Sequence, residues 1–141
     1  MVSASDGLQR TRIVQLAREC LGTPFLHQGR TINRGMDCAG VLVHVFMGLG
    51  MEYRDRAAYP RRPYRGMLEQ IMADQPHLKS VYKSELQSGD IVLFRIRVAP
   101  QHIGVCAGNT LIHTYYETGR VVEQSIAPWL PSITHVYRIA P

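Results

Sequence analysis

The sequence predicts one α+β domain over residues 1–141, with N-terminal helices packed on an antiparallel sheet of about five strands. Two patterns predict it. Apolar residues in the first half recur at helical spacing. The second half is made of short Val-, Ile-, Tyr- and Thr-rich runs separated by Gly, Pro and Asn. The composition is ordinary for a globular protein, 45% hydrophobic and 19% charged, which excludes a disordered chain. A chain of 141 residues also leaves little room for two independent cores.

The first helix is expected from about Asp6 to Leu21. Ile13, Leu16, Ala17, Cys20 and Leu21 share one stripe there, and Gly22 and Pro24 supply the stop. Thr23–Met36 reads as a loop. A second helix starts after Asp37, a good N-cap residue. Counted from Cys38, Val41, Leu42, Val45, Phe46 and Leu49 fall at +3, +4, +7, +8 and +11, a buried stripe. Cys38 begins that stripe and faces the core side of the helix, whereas His44 lies off it. Pro60 and Pro63 argue against regular structure in Tyr53–Arg65, which reads either as a docking surface or as a solvated loop. A short helix is expected at Met67–Asp74. Strands are expected at Asp90–Arg97, His102–Ala107, Thr110–Tyr115, Arg120–Gln124 and His135–Ile139, forming a meander packed on the Cys38 helix.

Sixteen Lys+Arg against eleven Asp+Glu give +5 and a sequence pI near 9.4. Such a balance suits an anionic partner or simply solubility. No compact basic motif supports nucleic-acid binding. No run of 18 apolar residues exists, so membrane insertion by a spanning helix is excluded. Met1–Arg12 is polar and does not read as a secretory signal, which leads to the expectation of synthesis in the cytoplasm without one. Cys20, Cys38 and Cys106 are an odd, widely spaced set with no CxxC pair. They form neither a disulfide framework nor a structural zinc site, and no metal or other cofactor is expected. Cys20 and Cys106 read as core thiols.

Cys38 stands apart by position. One residue after an N-cap, it sits in the positive field of a helix start, which favours a thiolate, and the free N–H groups there suit an oxyanion. A core cysteine that happens to start a helix is the alternative. A nucleophile needs a base. If Gly108-Asn109 closes a two-residue hairpin, opposed positions pair Cys106 with Leu111, Gly104 with His113 and His102 with Tyr115. His102 and His113 then become diagonal neighbours on one sheet face, with Gly104 leaving space for two rings. Cys38, His102 and His113 fit nucleophile, base and orienting group; two strand histidines satisfied by neighbours is the bland reading.

Four segments in order, Gly35-Met36-Asp37-Cys38-Ala39-Gly40, Gln87–Phe94, His102-Ile103-Gly104-Val105 and Leu111-Ile112-His113, resemble the NlpC/P60 cysteine peptidases, a papain-like α+β family. The resemblance covers roughly Ile13–Ile139. The stretch Gly22–Arg30 is most similar to the branch of phage and gene transfer agent cell wall peptidases. The resemblance implies Cys38 as nucleophile, His102 as base and His113 as the third polar member. It also implies hydrolysis of the bond between γ-D-glutamyl and a diamino acid in the peptidoglycan stem peptide. Many members carry Ser where Ala39 stands and a Tyr near the position of Phe25, which has no hydroxyl to donate.

Asp37, Phe25, His27 and Arg30 are the candidate substrate-binding residues. Asp37 is either a cap alone or also a contact for a cationic group of the stem. His27 either takes over from the missing hydroxyl or is a loop histidine bonded to backbone. Arg30 and Arg34 suit stem carboxylates, since Arg pairs with them bidentately, or are simply solvated. Phage-like tail-tip or hub proteins are the expected partners, with the protein carried by a particle and acting on the cell wall. Rival readings are a tail-tip module that binds without cleaving and a thiol acyltransferase or amidase.

Overall fold

A computed structural model describes residues 4–56, 59, 66–96 and 99–141. Helix α1 runs from Ala4 to Arg18 and α2 from Cys38 to Leu49, with a short α3 at Met67–Ala73. Between α1 and α2 lies a small hairpin, β1 (Arg30–Thr31) and β2 (Gly35–Met36). The remaining strands are β3 (Leu78–Val81), β4 (Ile91–Ile96), β5 (Ala99–Cys106), β6 (Thr110–His113), β7 (Val122–Ser125) and β8 (Ile133–Ile139).

The α+β expectation holds, with differences in topology. The main sheet has six strands in the order β3-β8-β4-β5-β6-β7, and its neighbours pair antiparallel. Only β4 to β7 form a meander. The C-terminal β8 returns to the other side of β4 and brings β3 with it. The short β3, of sequence LKSV, has half-buried ends and an exposed middle. Its sequence therefore lacks the apolar alternation that marks a strand. The β1/β2 hairpin falls inside the segment read as a loop, because two-residue strands carry no periodicity. Of the Tyr53–Arg65 stretch, residues 57–58 and 60–65 lie outside the described residues.

Two apolar clusters cover the two faces of the sheet. Ile13, Leu16, Ala17 and Cys20 of the α1 region and Val41, Leu42, Val45 and Phe46 of α2 pack with Leu93, Ile103, Val105 and Ile112. Phe94, Cys106, Leu111, Ile126 and Val136 form the second cluster, with Trp129 against it. Cys20 and Cys106 are buried, as expected of core thiols. Leu21 is the exception on its stripe and is exposed, because α1 ends at Arg18 and the chain turns away through Gly22.

The Gln87-Ser88-Gly89-Asp90 segment is a structural corner. Asp90 is fully buried, and its carboxylate accepts from the Gln87 N–H at 2.8 Å, from Arg138 at 2.9 and 3.0 Å and from Arg10 at 3.3 Å. It thereby ties α1 and β8 to the start of β4. Two guanidiniums and a backbone donor are what make the burial of that charge tolerable.

Candidate active site

The chain enters α2 through Asp37, whose extended backbone and side-chain bond to the Gly40 N–H (3.0 Å) cap the helix as expected. Gly40 is required here by space. A Cβ on it would lie 2.4 Å from the Gly29 carbonyl oxygen and 2.8 Å from the Met36 Cβ. The 26–30 turn can therefore press onto the helix start.

That turn brings Arg30 and Gln28 to the cap. Asp37 Oδ1 accepts from Gly40 and from Arg30 Nη1 (2.8 Å); Oδ2 accepts from the Gln28 N–H (2.9 Å) and from the Tyr59 hydroxyl. Four donors fill the acceptor capacity of the carboxylate, which is buried. All five Arg30 N–H donors are likewise used, on Asp55 (3.0 Å, bidentate), Asp37, the Gly29 carbonyl and the Tyr59 hydroxyl (2.8 Å). Burial works against the Arg30 charge. Its bonds to Asp55 and Tyr59 and the Asp37 charge more than offset this and hold it protonated. Burial, then the bond to Asp37, keeps the Tyr59 hydroxyl protonated. In this arrangement Arg30 has no donor left for a stem carboxylate.

His27 hydrogen-bonds the Tyr59 carbonyl through Nε2 at 3.0 Å and meets the Tyr59 ring edge-on. Its backbone contact is thus the one expected of a loop histidine. Phe25 is half-buried and bridges to Met36. Tyr59 and Asp55 were not singled out by the sequence: their stretch has neither periodicity nor a spacing tied to Asp37.

On the sheet, the turn at Gly108-Asn109 closes the predicted two-residue hairpin. Cys106 pairs with Leu111 and Gly104 with His113. His102 and His113 meet as diagonal neighbours, His102 Nε2 lying 2.8 Å from His113 Nδ1, and both rings are buried. Tyr115 and Trp129 pack around the pair, at 4.9 Å from His102 and His113 respectively. Gly104 does not make room for the rings, as the sequence suggested. A Cβ there would meet Leu111 at 2.5 Å and Phe94 at 3.0 Å. Beside His102 the β4/β5 ladder is irregular: Phe94 pairs with His102, but Arg95 pairs with Pro100. The extra residue is a bulge, a feature that re-aims neighbouring side chains.

The Cys38 sulfur faces the N–H groups of Ile103 and Ala39. It therefore reaches β5 one residue beyond His102. Ile103 packs on the α2 face, whereas the His102 ring packs against Phe94 and Trp129 of the other cluster. No thiol–imidazole hydrogen bond is formed, because His102 Nδ1 is buried without a partner.

Cys38 is half-buried as a residue, but its sulfur is desolvated. Burial pushes the thiol up to about 12, with the Asp37 charge acting the same way; the Ile103 and Ala39 N–H groups and Arg30 oppose this and are outweighed. The expectation that the helix start would favour a thiolate is thus reversed by desolvation. Burial holds His102 well below the ordinary histidine range, with His113 adding to the effect, and burial also lowers His113. The resting site is a neutral thiol near two neutral imidazoles. Among the described residues, no group of three His, Cys, Asp or Glu side chains is spaced to hold a metal ion.

Helices packed on a six-stranded antiparallel sheet, with a thiol at the mouth of one helix, make the α+β domain the sequence predicted. The chain belongs to the NlpC/P60 family, whose model matches residues 22–138. It is 29% identical over 122 residues to the murein DD-endopeptidase MepS/murein LD-carboxypeptidase of Escherichia coli (strain K12), covering 85% of this chain and 57% of that protein. The chain thus spans a little over half the length of the curated relatives it matches. An NlpC/P60 family protein from Bacillus cereus ATCC 10987 has the same fold, with a TM-score of 0.67 at 19% identity over 94% of this chain and 40% of that one. RipD of Mycobacterium tuberculosis, a non-catalytic NlpC/p60 domain protein adapted to peptidoglycan binding, gives a TM-score of 0.61 at 15% identity over 92% of this chain and 95% of its own.

Proposed function

We propose that this chain is a cysteine peptidase that hydrolyses peptidoglycan stem peptides, at the bond between γ-D-glutamyl and a diamino acid. Cys38 is the nucleophile, His102 the general base and His113 the group that orients His102. The observation that carries the reading is the buried, unpartnered Nδ1 of His102, on the residue preceding the one whose N–H faces the Cys38 sulfur.

For this chemistry the thiol and Nδ1 must come within hydrogen-bond distance in the substrate complex, which moves the His102 ring from its packing on Phe94 and Trp129 toward the sulfur. The thiol proton passes to His102 Nδ1 as sulfur attacks the scissile carbonyl carbon. The oxyanion is held by the Cys38 N–H, which no hydrogen bond among the described residues uses. Collapse expels the amine, which takes the proton from His102. Water, deprotonated by the same nitrogen, then cleaves the thioester. Because both resting groups are neutral, proton transfer accompanies attack and does not precede it. Asp37, Arg30 and His27 shape the substrate wall with Phe25. Arg30 acts by holding Asp37, and a stem carboxylate binds there only by displacing Asp55.

Zymography on purified sacculi with wild type and Cys38→Ala, followed by mass spectrometry of the products, tests the reading. Clearing by wild type alone, with free diamino-acid-containing peptides released, supports it. Equal clearing by both, or by neither, removes Cys38 from the role. A second reading, binding of the wall without cleavage, is favoured by the missing thiol–imidazole bond and predicts sacculus retention with no products. Carriage on a phage-like tail is proposed from the Gly22–Arg30 resemblance. Antibody labelling of assembled particles supports it; finding the protein only in the soluble cytosol of producing cells removes it.

A further inference from the structure

Beyond the three proposed catalytic side chains, Gln124 is the side chain that hydrogen-bonds the imidazole pair among the described residues. Gln124 on β7 lies with its Oε1 2.8 Å from His113 Nε2. It arrives there because β6 pairs with β7 in the register Leu111↔Gln124 and His113↔Val122, which makes Gln124 the diagonal neighbour of His113.

We propose that Gln124 is a positioning residue that sets the tautomers of both imidazoles, so that His102 presents an unprotonated Nδ1. With Gln124 Oε1 facing His113, the two contacts and the unpartnered nitrogen allow one consistent assignment. A carbonyl oxygen accepts only, so His113 carries its proton on Nε2 and donates it to Gln124. His113 Nδ1 is then a lone pair and accepts from His102 Nε2–H. His102 is left with a lone pair on Nδ1, the buried atom without a partner. The opposite chain of donors would need the Gln124 amide turned to present its NH2 and would put an N–H on that nitrogen, facing no acceptor in a buried site. It would also leave the ring unable to take a proton from the thiol. Gln124 thus acts through His113 on His102 and touches neither sulfur nor substrate. The inference rests on the peptidase reading for its purpose but not for its geometry.

The groups facing His113 are His102, Tyr115, Trp129 and Gln124. Glu117 lies behind the Tyr115 hydroxyl, and Glu123 is engaged by Arg18 and Thr110. A carboxylate brought to position 124 is therefore the closest charge to the pair.

Two-dimensional NMR correlation of the ring nitrogens with the ring carbon-bound protons reads each tautomer directly, without activity. In wild type at pH 7.5, both His102 and His113 should be the Nε2–H form. Gln124→Leu should convert the pair to a mixture and lower kcat roughly 100-fold, with little change in KM. Gln124→Glu keeps the acceptor and should restore the wild-type tautomers and kcat at pH 8.5. It should lose activity as pH falls, through a limb displaced upward from that of wild type, because the carboxylate favours the His113 cation, which donates to His102 the wrong way round. An Nδ1–H form of His102 in wild type, or tautomers unchanged in Gln124→Leu, overturns the inference. Wild-type tautomers as expected in a protein that releases no peptide support this assignment while removing the peptidase reading.

Discussion

His102 Nε2 and His113 Nδ1 lie 2.8 Å apart, and each of the two residues is 1% exposed. Burial lowers both rings below their ordinary range, so neither carries charge near neutral pH in the folded chain. In the unfolded chain both titrate near the ordinary 6.5, so below that value the unfolded state binds more protons. The stability is fully present above about pH 7 and is lost as pH falls, by up to roughly 1.4 kcal/mol per pH unit for each ring. Denaturant midpoints at pH 7.5 and 5.5 should show the loss. His113→Leu should shrink it; a midpoint unchanged between the two pH values contradicts the buried neutral pair.

The Cys38 thiol, pushed up to about 12 by burial, predicts an alkylation rate that climbs about tenfold per pH unit from pH 7 to 9 with no plateau. Cys20, also pushed up to about 12 and with no exposed surface, should react more slowly at every pH. Iodoacetamide labelling mapped by mass spectrometry reads both. A plateau near neutral pH would show that the helix start outweighs desolvation after all.

Asp90 is expected to be among the most costly positions to change. Asp90→Ala leaves Arg10 and Arg138 without their buried counter-charge and should destabilise by about 3–5 kcal/mol. Combining it with Arg138→Met should recover part of the loss. Urea unfolding of the single and double variants measures the coupling, and strictly additive losses would mean that the corner is not a unit.

Gly40→Ala should displace the Gly29 turn from the start of α2, since its Cβ would lie 2.4 Å from a carbonyl oxygen. Overpacking of this kind costs about 1–3 kcal/mol. It also moves Arg30 and Gln28 off Asp37, so hydrolysis of sacculi should fall further than the stability loss explains. Full activity in a folded Gly40→Ala protein would dissociate the turn from the site.

The parts of the site legible in the sequence are those fixed by local geometry. Asp37 before an apolar stripe is a cap whatever surrounds it, so Cys38 was placed at a helix start. Gly108-Asn109 sets the register of its own hairpin, so the meeting of His102 with His113 followed from counting. Other features escaped because they join distant segments. The loop 114–121 between β6 and β7 has no register of its own, so Gln124 could not be matched to His113. Tyr59 and Asp55 reach Asp37 and Arg30 across more than twenty residues from a stretch with no pattern. The Gln87–Asp90 motif was legible as a resemblance, but its work as a corner needed Arg10 and Arg138 to be seen beside it.

What the sequence by itself determined is the order of the three helices and of β4 to β8, the thiol at the mouth of α2 and the imidazole pair on one ribbon, because helical and strand periodicities and two-residue turns are properties of neighbours in the chain. Only the tertiary structure decided the charge states and the partners: a thiol kept protonated, a carboxylate filled by four donors, and a glutamine hydrogen-bonded to one ring of the pair. Desolvation and hydrogen-bond satisfaction depend on what the rest of the fold brings to a side chain, and no local pattern records that.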